Sequence, residues 1–187
     1  MDAKKTTMLL GLAFLVFLIL SYVVNMIFFN TLGDIFRNQF LTIDMFFIQV
    51  GILLIHNVLV ISLILLGMTF YVNLVVFNFF KEGKYERVVV EHPRTFAIVF
   101  TIMILFLSIL RGSSLLYGGI SVEALPLILL VSAPIGIIEG YGIYLTIKKT
   151  LSRVMSTKDL AYIYGIFFIA AIMEVVFINL LIWTVTG

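Results

Sequence analysis

Two glutamates stand where apolar residues are expected. Glu139 lies in "SAPIGIIEGYGIYL" (Ser132–Leu145) and Glu174 in "FFIAAIMEVVFINLLIW" (Phe167–Trp183). At the centre of a membrane helix an Asp, Lys or Arg costs about 2.5–3.5 kcal/mol on insertion scales, so a charge there turns toward protein or a polar cavity. Candidate partners are His56 and Asn57, mid-way along an apolar run, with Ser62 further along it. Asn25 lies toward the outer end of the first run, Asn73 and Asn78 lie beyond Gly67 toward the cytoplasmic side, and Asn179 is off the Glu174 face. Three chemistries fit an intramembrane cluster of Glu139, Glu174, His56, Asn57 and Asn78. It can be interhelical hydrogen bonding that glues helices together, the lining of an ion or solute pathway, or a site for a partner or lipid. A metal would need His56 with both glutamates, a set whose spacing gives it no independent support.

Helical geometry fixes what surrounds each carboxylate. At 100° per residue, Ser132, Gly136, Gly140 and Gly142 fall within roughly 100° of Glu139. Gly136-x-x-x-Gly140 is a close-packing pattern, and Ala170 and Ala171 flank Glu174. Helix packing is therefore assigned to Gly136, Gly140, Gly142 and Gly67, and a kink to Pro134. Enzyme motifs are missing: there is no HExxH, no glycine-rich phosphate loop, no cysteine and only two histidines. The expectation is a non-enzymatic protein without a cofactor.

The elements that position these residues follow from composition. Of 187 residues 63% are hydrophobic and 12% charged, against about 45–50% and ~25% in soluble domains. Water-compatible residues could not cover so apolar a chain, and a bilayer is the implied solvent. The reading is one all-α, polytopic domain over 1–187 with about five transmembrane helices, near 8–29, 46–80, 95–117, 124–147 and 160–185. The amino-terminal apolar run reads as an uncleaved span, since a signal core has only ~7–15 apolar residues. Asn30–Asp44 mixes charge with phenylalanine and reads as a short interfacial helix. The run from Met45 to Phe80 is roughly 50 Å as a helix, longer than the ~30 Å hydrocarbon core, and is expected to bend at Gly67.

Charge sets the orientation. If that long run crosses once, Lys4, Lys5, Lys81, Lys84, Arg87, Arg94, Lys148, Lys149, Arg153 and Lys158 share one side, leaving only Arg37 and Arg111 opposite. That side is cytoplasmic by the positive-inside rule, with the amino terminus inside and the carboxyl terminus outside. The basic loops are short and juxtamembrane, so they set topology or bind anionic lipid headgroups. They make no nucleic-acid surface.

Three blocks resemble a known family. "APIGIIEGYGIYLT" (Ala133–Thr146) resembles the "PHGIIElpAi" signature of the stage II sporulation protein M family. "HNVLVISLILLGMTFYVNLVVFNFF" (His56–Phe80) is similar to its "NN…G…G…lfyNG" region, and "IAAIMEVVFINLLI" (Ile169–Ile182) to its "aAfiEafit" last helix. The matching residues are Asn57, Gly67, Asn78, Pro134, Gly136, Glu139 and Glu174. The family's histidine position holds Ile135, and the glycine expected after Asn78 is Phe79. The resemblance implies a multi-pass protein of the cytoplasmic membrane that acts as a scaffold for other membrane proteins. A homodimer through the small-residue faces is one form of it, and a permease-like role is the alternative.

Overall fold

The computed structural model describes residues 3–37, 43–76, 89, 91–117 and 125–186. Over them the chain forms five α-helices and no strand: α1 (Ala3–Arg37), α2 (Ile43–Val76), α3 (Pro93–Tyr117), α4 (Leu125–Leu151) and α5 (Thr157–Thr186). Among the described residues, three stretches are long and apolar enough to cross a membrane: Thr7–Val24, Met45–Val75 and Thr157–Leu180. Asn78 lies outside the described residues, as do Lys81, Lys84 and Arg87.

α2, α4 and α5 pack on one another in pairs, with α1 laid against α2 and α3 against α4. The larger core cluster gathers Ile61 and Val72 of α2, Ala97 of α3, Ile143, Ile147 and Leu151 of α4, and Ile163 and Phe167 of α5. A smaller one joins Val50 and Leu53 of α2 to Ala171 and Val175 of α5. Helices consecutive in the chain alternate in direction, so α2 and α4 run parallel. Gln49 meets Asn179 and Ser62 meets Tyr164 across α2 and α5, while Lys149 pairs with Asp159 across α4 and α5. The bundle consequently gathers Lys5, Arg94, Lys148, Lys149, Arg153 and Lys158 at one end.

Glycines set the closest approaches. Phe70 fills a notch at Gly11 and Phe14 fills one at Gly67, where added Cβ atoms would lie 3.0 and 2.9 Å from the rings. The two rings stack with centroids 6.4 Å apart, so α1 is keyed to α2 by reciprocal knobs. Gly67 thus serves packing within a helix that runs unbroken from Ile43 to Val76. α4 is likewise continuous through Pro134, which is exposed there.

Two boundaries differ from the sequence-based reading. Residues 30–37 do not start a separate interfacial helix; they continue α1. The basic segment 148–159 is not all loop either, because α4 runs to Leu151 and α5 starts at Thr157. Local chemistry explains the short turn. Lys148 and Lys149 occupy the last turn of α4, where cations complement the helix dipole. Arg153 takes a left-handed φ of 56°, with Arg153 N–H donating to Thr150 O and Val154 N–H to Lys149 O. That pair of bonds is a Schellman motif. Ser156 then caps α5. Its Oγ accepts from Asp159 N–H at 3.1 Å and donates to Asp159 Oδ2 at 2.7 Å, while Ser156 N–H donates to the same carboxylate at 3.0 Å. This is a capping box with Asp in the role usually taken by Glu or Gln.

Candidate functional site

Each helix of the three-helix core carries at least one polar residue on its inward stripe. On α2 the i, i+4 ridge Gln49, Leu53, Asn57, Ile61 is buried throughout and lies along α5. On α4, Glu139 shares a face with Ile135, Gly142, Ile143 and Thr146, all buried. On α5, Glu174 lies one turn from Ala170 and Ala171, both fully buried. Helix phase therefore turns Asn57, Glu139 and Glu174 toward the common axis.

Depth follows from the interhelical contacts. The Gln49–Asn179 and Ser62–Tyr164 pairs put Asn57 level with Ala170 and Ala171 of α5. The Gly142–Phe167 contact and the Lys149–Asp159 ion pair put Glu139 at the same level. Glu174 lies four residues further along α5, roughly 6 Å or one turn away. Glu139 and Glu174 are partly buried, and neither stands free. Asn57 is only 6% exposed, and its Nδ2 has no hydrogen-bond partner. Thr101 Oγ1, on α3, is buried and orphaned as well.

His56 is half-buried and does not stand free. It lies about 100° around α2 from Asn57 and on the stripe that carries Gly67, which faces α1. Among the described residues no three His, Asp or Glu side chains converge as metal ligands. The set of His56, Glu139 and Glu174 is accordingly not assembled.

The small residues around Glu139 divide between neighbours. Gly136 and Gly140 face Leu105 of α3, with the Cβ position of Gly140 only 2.8 Å from Leu105 Cδ1. Gly142 faces α5 instead, its Cβ position 2.5 Å from Phe167 Cε2. Glu139 points between those two contacts. α3 of the same chain thus packs on the Gly136/Gly140 face.

Two polar pairs escaped the sequence reading. Asn179 Nδ2 donates to Gln49 Oε1 at 3.0 Å and to Val175 O at 2.8 Å, tying α5 to α2. Lys149 pairs with Asp159 across the α4–α5 turn. Neither pair had a local signal, although Ser156-x-x-Asp159 ahead of an apolar run marks the helix start that carries Asp159.

No protein-family model matches the chain, nor does any curated protein or any solved structure. The family resemblance of the glutamate blocks stands on the quoted residues alone.

Proposed function

We propose that this chain is a non-enzymatic integral membrane scaffold or assembly protein, resembling the stage II sporulation protein M family. In this reading it crosses the cytoplasmic membrane five times, amino terminus inside, and binds other membrane proteins. The observation that carries the reading is how tightly the core around the polar trio is sealed. Ile61, Ile147, Ile163, Ala170, Ala171 and Val175 are all 0% exposed, and single side chains fill the notches at Gly11, Gly67, Gly140 and Gly142. A pathway needs space along the axis, whereas a rigid platform needs none. Interhelical hydrogen bonding by buried polar groups then accounts for Glu139 and Glu174 as packing residues.

The test is in-cell crosslinking followed by mild-detergent purification, with wild type and Glu139→Gln compared. Scaffolding predicts a stoichiometric membrane partner that Glu139→Gln loses along with assembly. Normal assembly in that variant, with a lost transport activity, would overturn it.

One observation favours a second reading, a transporter or permease component with Glu139 and Glu174 lining an ion or solute pathway. Asn57 Nδ2 is an unsatisfied donor at the level of Glu139, and such groups in native structures often hold a water or a ligand atom. Proteoliposome flux that disappears in both Asn57→Leu and Glu139→Gln would establish this reading over the first.

A further inference from the structure

A groove of about 260 Å³ opens between α4 and α5 at the basic end of the bundle, lined by Tyr141, Leu145, Lys149, Asp159, Tyr162 and Ile163. Its polarity is graded. The Lys149–Asp159 ion pair crosses one end, with side chains 30% and 24% exposed. Leu145 and then Tyr141 follow along α4, the latter roughly 12 Å from Lys149. Tyr141 and Tyr162 are about half exposed on the outside of the bundle. Lys158, one turn before Tyr162, is exposed at the charged end, as is Arg153 on the turn. Between Lys148 and Asp159 one acid faces four cations. Of these Lys148 is drawn away over the Tyr144 ring, 5.5 Å from its centroid.

We infer that this groove holds one anionic phospholipid. Its phosphate sits at the rim between Lys149 and Lys158, and its glycerol and upper acyl chain run past Tyr162 and Leu145 toward Tyr141. The match is one of polarity along the groove: charge at the rim, then Tyr162 beside Leu145 and Ile163, then Tyr141, so charged surface gives way to amphipathic and apolar surface as a phospholipid's phosphate gives way to ester and chain. Charge selects the class, because the cationic headgroup of a zwitterionic lipid would meet the same excess of positive residues. Asp159 competes with the phosphate for Lys149 and tunes the affinity downward. The inference rests on this end of the bundle lying at a membrane surface, as in the topology proposed above.

The opposite signs expected at the two ends of the ion pair make the test. The full chain is delipidated in detergent and titrated with phosphatidylglycerol or phosphatidylcholine of identical acyl chains, and bound lipid is counted by native mass spectrometry. One phosphatidylglycerol per chain is expected to be retained over phosphatidylcholine. Lys149→Gln and Lys158→Gln each weaken that preference roughly fivefold, while Asp159→Asn strengthens it. Equal retention of both lipids overturns the inference. So does a loss in Asp159→Asn matching that in Lys149→Gln, the result expected if the ion pair only braces the turn. The topology is checked separately: the chain has no cysteine, so Ser152→Cys reports by impermeant thiol labelling whether the turn reaches a membrane surface. Surface labelling without lipid preference refutes the groove and leaves the topology standing.

Discussion

Gly142→Ala is the sharpest probe of how this bundle is held together. A Cβ at that position would lie 2.5, 3.0 and 3.2 Å from Cε2, Cζ and Cδ2 of Phe167. To regain ordinary contact near 3.4 Å the ring must move by almost 1 Å. Phe167 is 2% exposed and packed within the larger core cluster, so it has little room to move. Overpacking of this kind costs about 1–3 kcal/mol, offset by up to about 1 kcal/mol of helix propensity when Ala replaces Gly. Gly165, on α5, is the control: it is exposed and nothing lies within 4 Å of its Cβ position, so Gly165→Ala keeps the propensity gain without the clash. The propensity gain cancels between the two variants, which should therefore differ by about 1–3 kcal/mol, or roughly 2–12 °C in Tm for a chain of this size. The assay is thermal loss of helical circular dichroism in one detergent. Adding Phe167→Leu to Gly142→Ala should restore most of the loss, because the clashing atoms are the far part of the ring. Equal stability of Gly142→Ala and Gly165→Ala would refute the claim that α4 and α5 are in limiting contact.

Ser156→Ala removes both capping-box bonds made by the hydroxyl and should cost about 1 kcal/mol, read as a lower Tm. Gln49→Leu and Asn179→Leu break one bond from its two sides; a double-mutant cycle should return a coupling of about 0.6 kcal/mol, the average for such pairs in membranes. Asn57→Leu removes a buried donor that has no partner, so the variant should be at least as stable as wild type by chemical denaturation in detergent. A loss above about 2 kcal/mol would show that the amide is satisfied after all, because only then does its removal leave another buried group unpaired.

What the sequence made legible was each helix taken alone. Hydropathy located the apolar runs, and among the described residues three of them are helices long and apolar enough to cross a membrane. The continuation of α1 to Arg37 was hidden because Asp34 and Arg37 interrupt the apolar pattern without interrupting the helix. The α4–α5 turn was overestimated because its charged residues were read as solvated chain. Lys148, Lys149 and Asp159 are in fact helix-terminal residues doing dipole and capping chemistry. Periodicity puts Glu139 and its glycines on one broad face, and 100° of helix surface is wide enough to meet two neighbours. Only the packing assigns Gly140 to Leu105 and Gly142 to Phe167.

The polar axis depends on a quantity that no single helix encodes, namely the register between helices. Periodicity puts Asn57, Glu139 and Glu174 on inward stripes, but their depths, the first two level and Glu174 one turn away, come from the connections. The α4–α5 turn spans only residues 152–156 and is pinned by the Schellman bonds on one side and the capping box on the other. A residue inserted there would shift α5 by about 1.5 Å and rotate it by about 100° against α4. Glu174 would then leave the axis, and Phe167 would leave the notch at Gly142. The same five-residue turn carries Arg153 and ends beside Lys149 and Lys158, the cations of the inferred lipid groove. One short segment therefore sets both the alignment of the buried carboxylates and the charge presented to the membrane surface, and a lipid seated there would brace the hairpin on which that alignment depends.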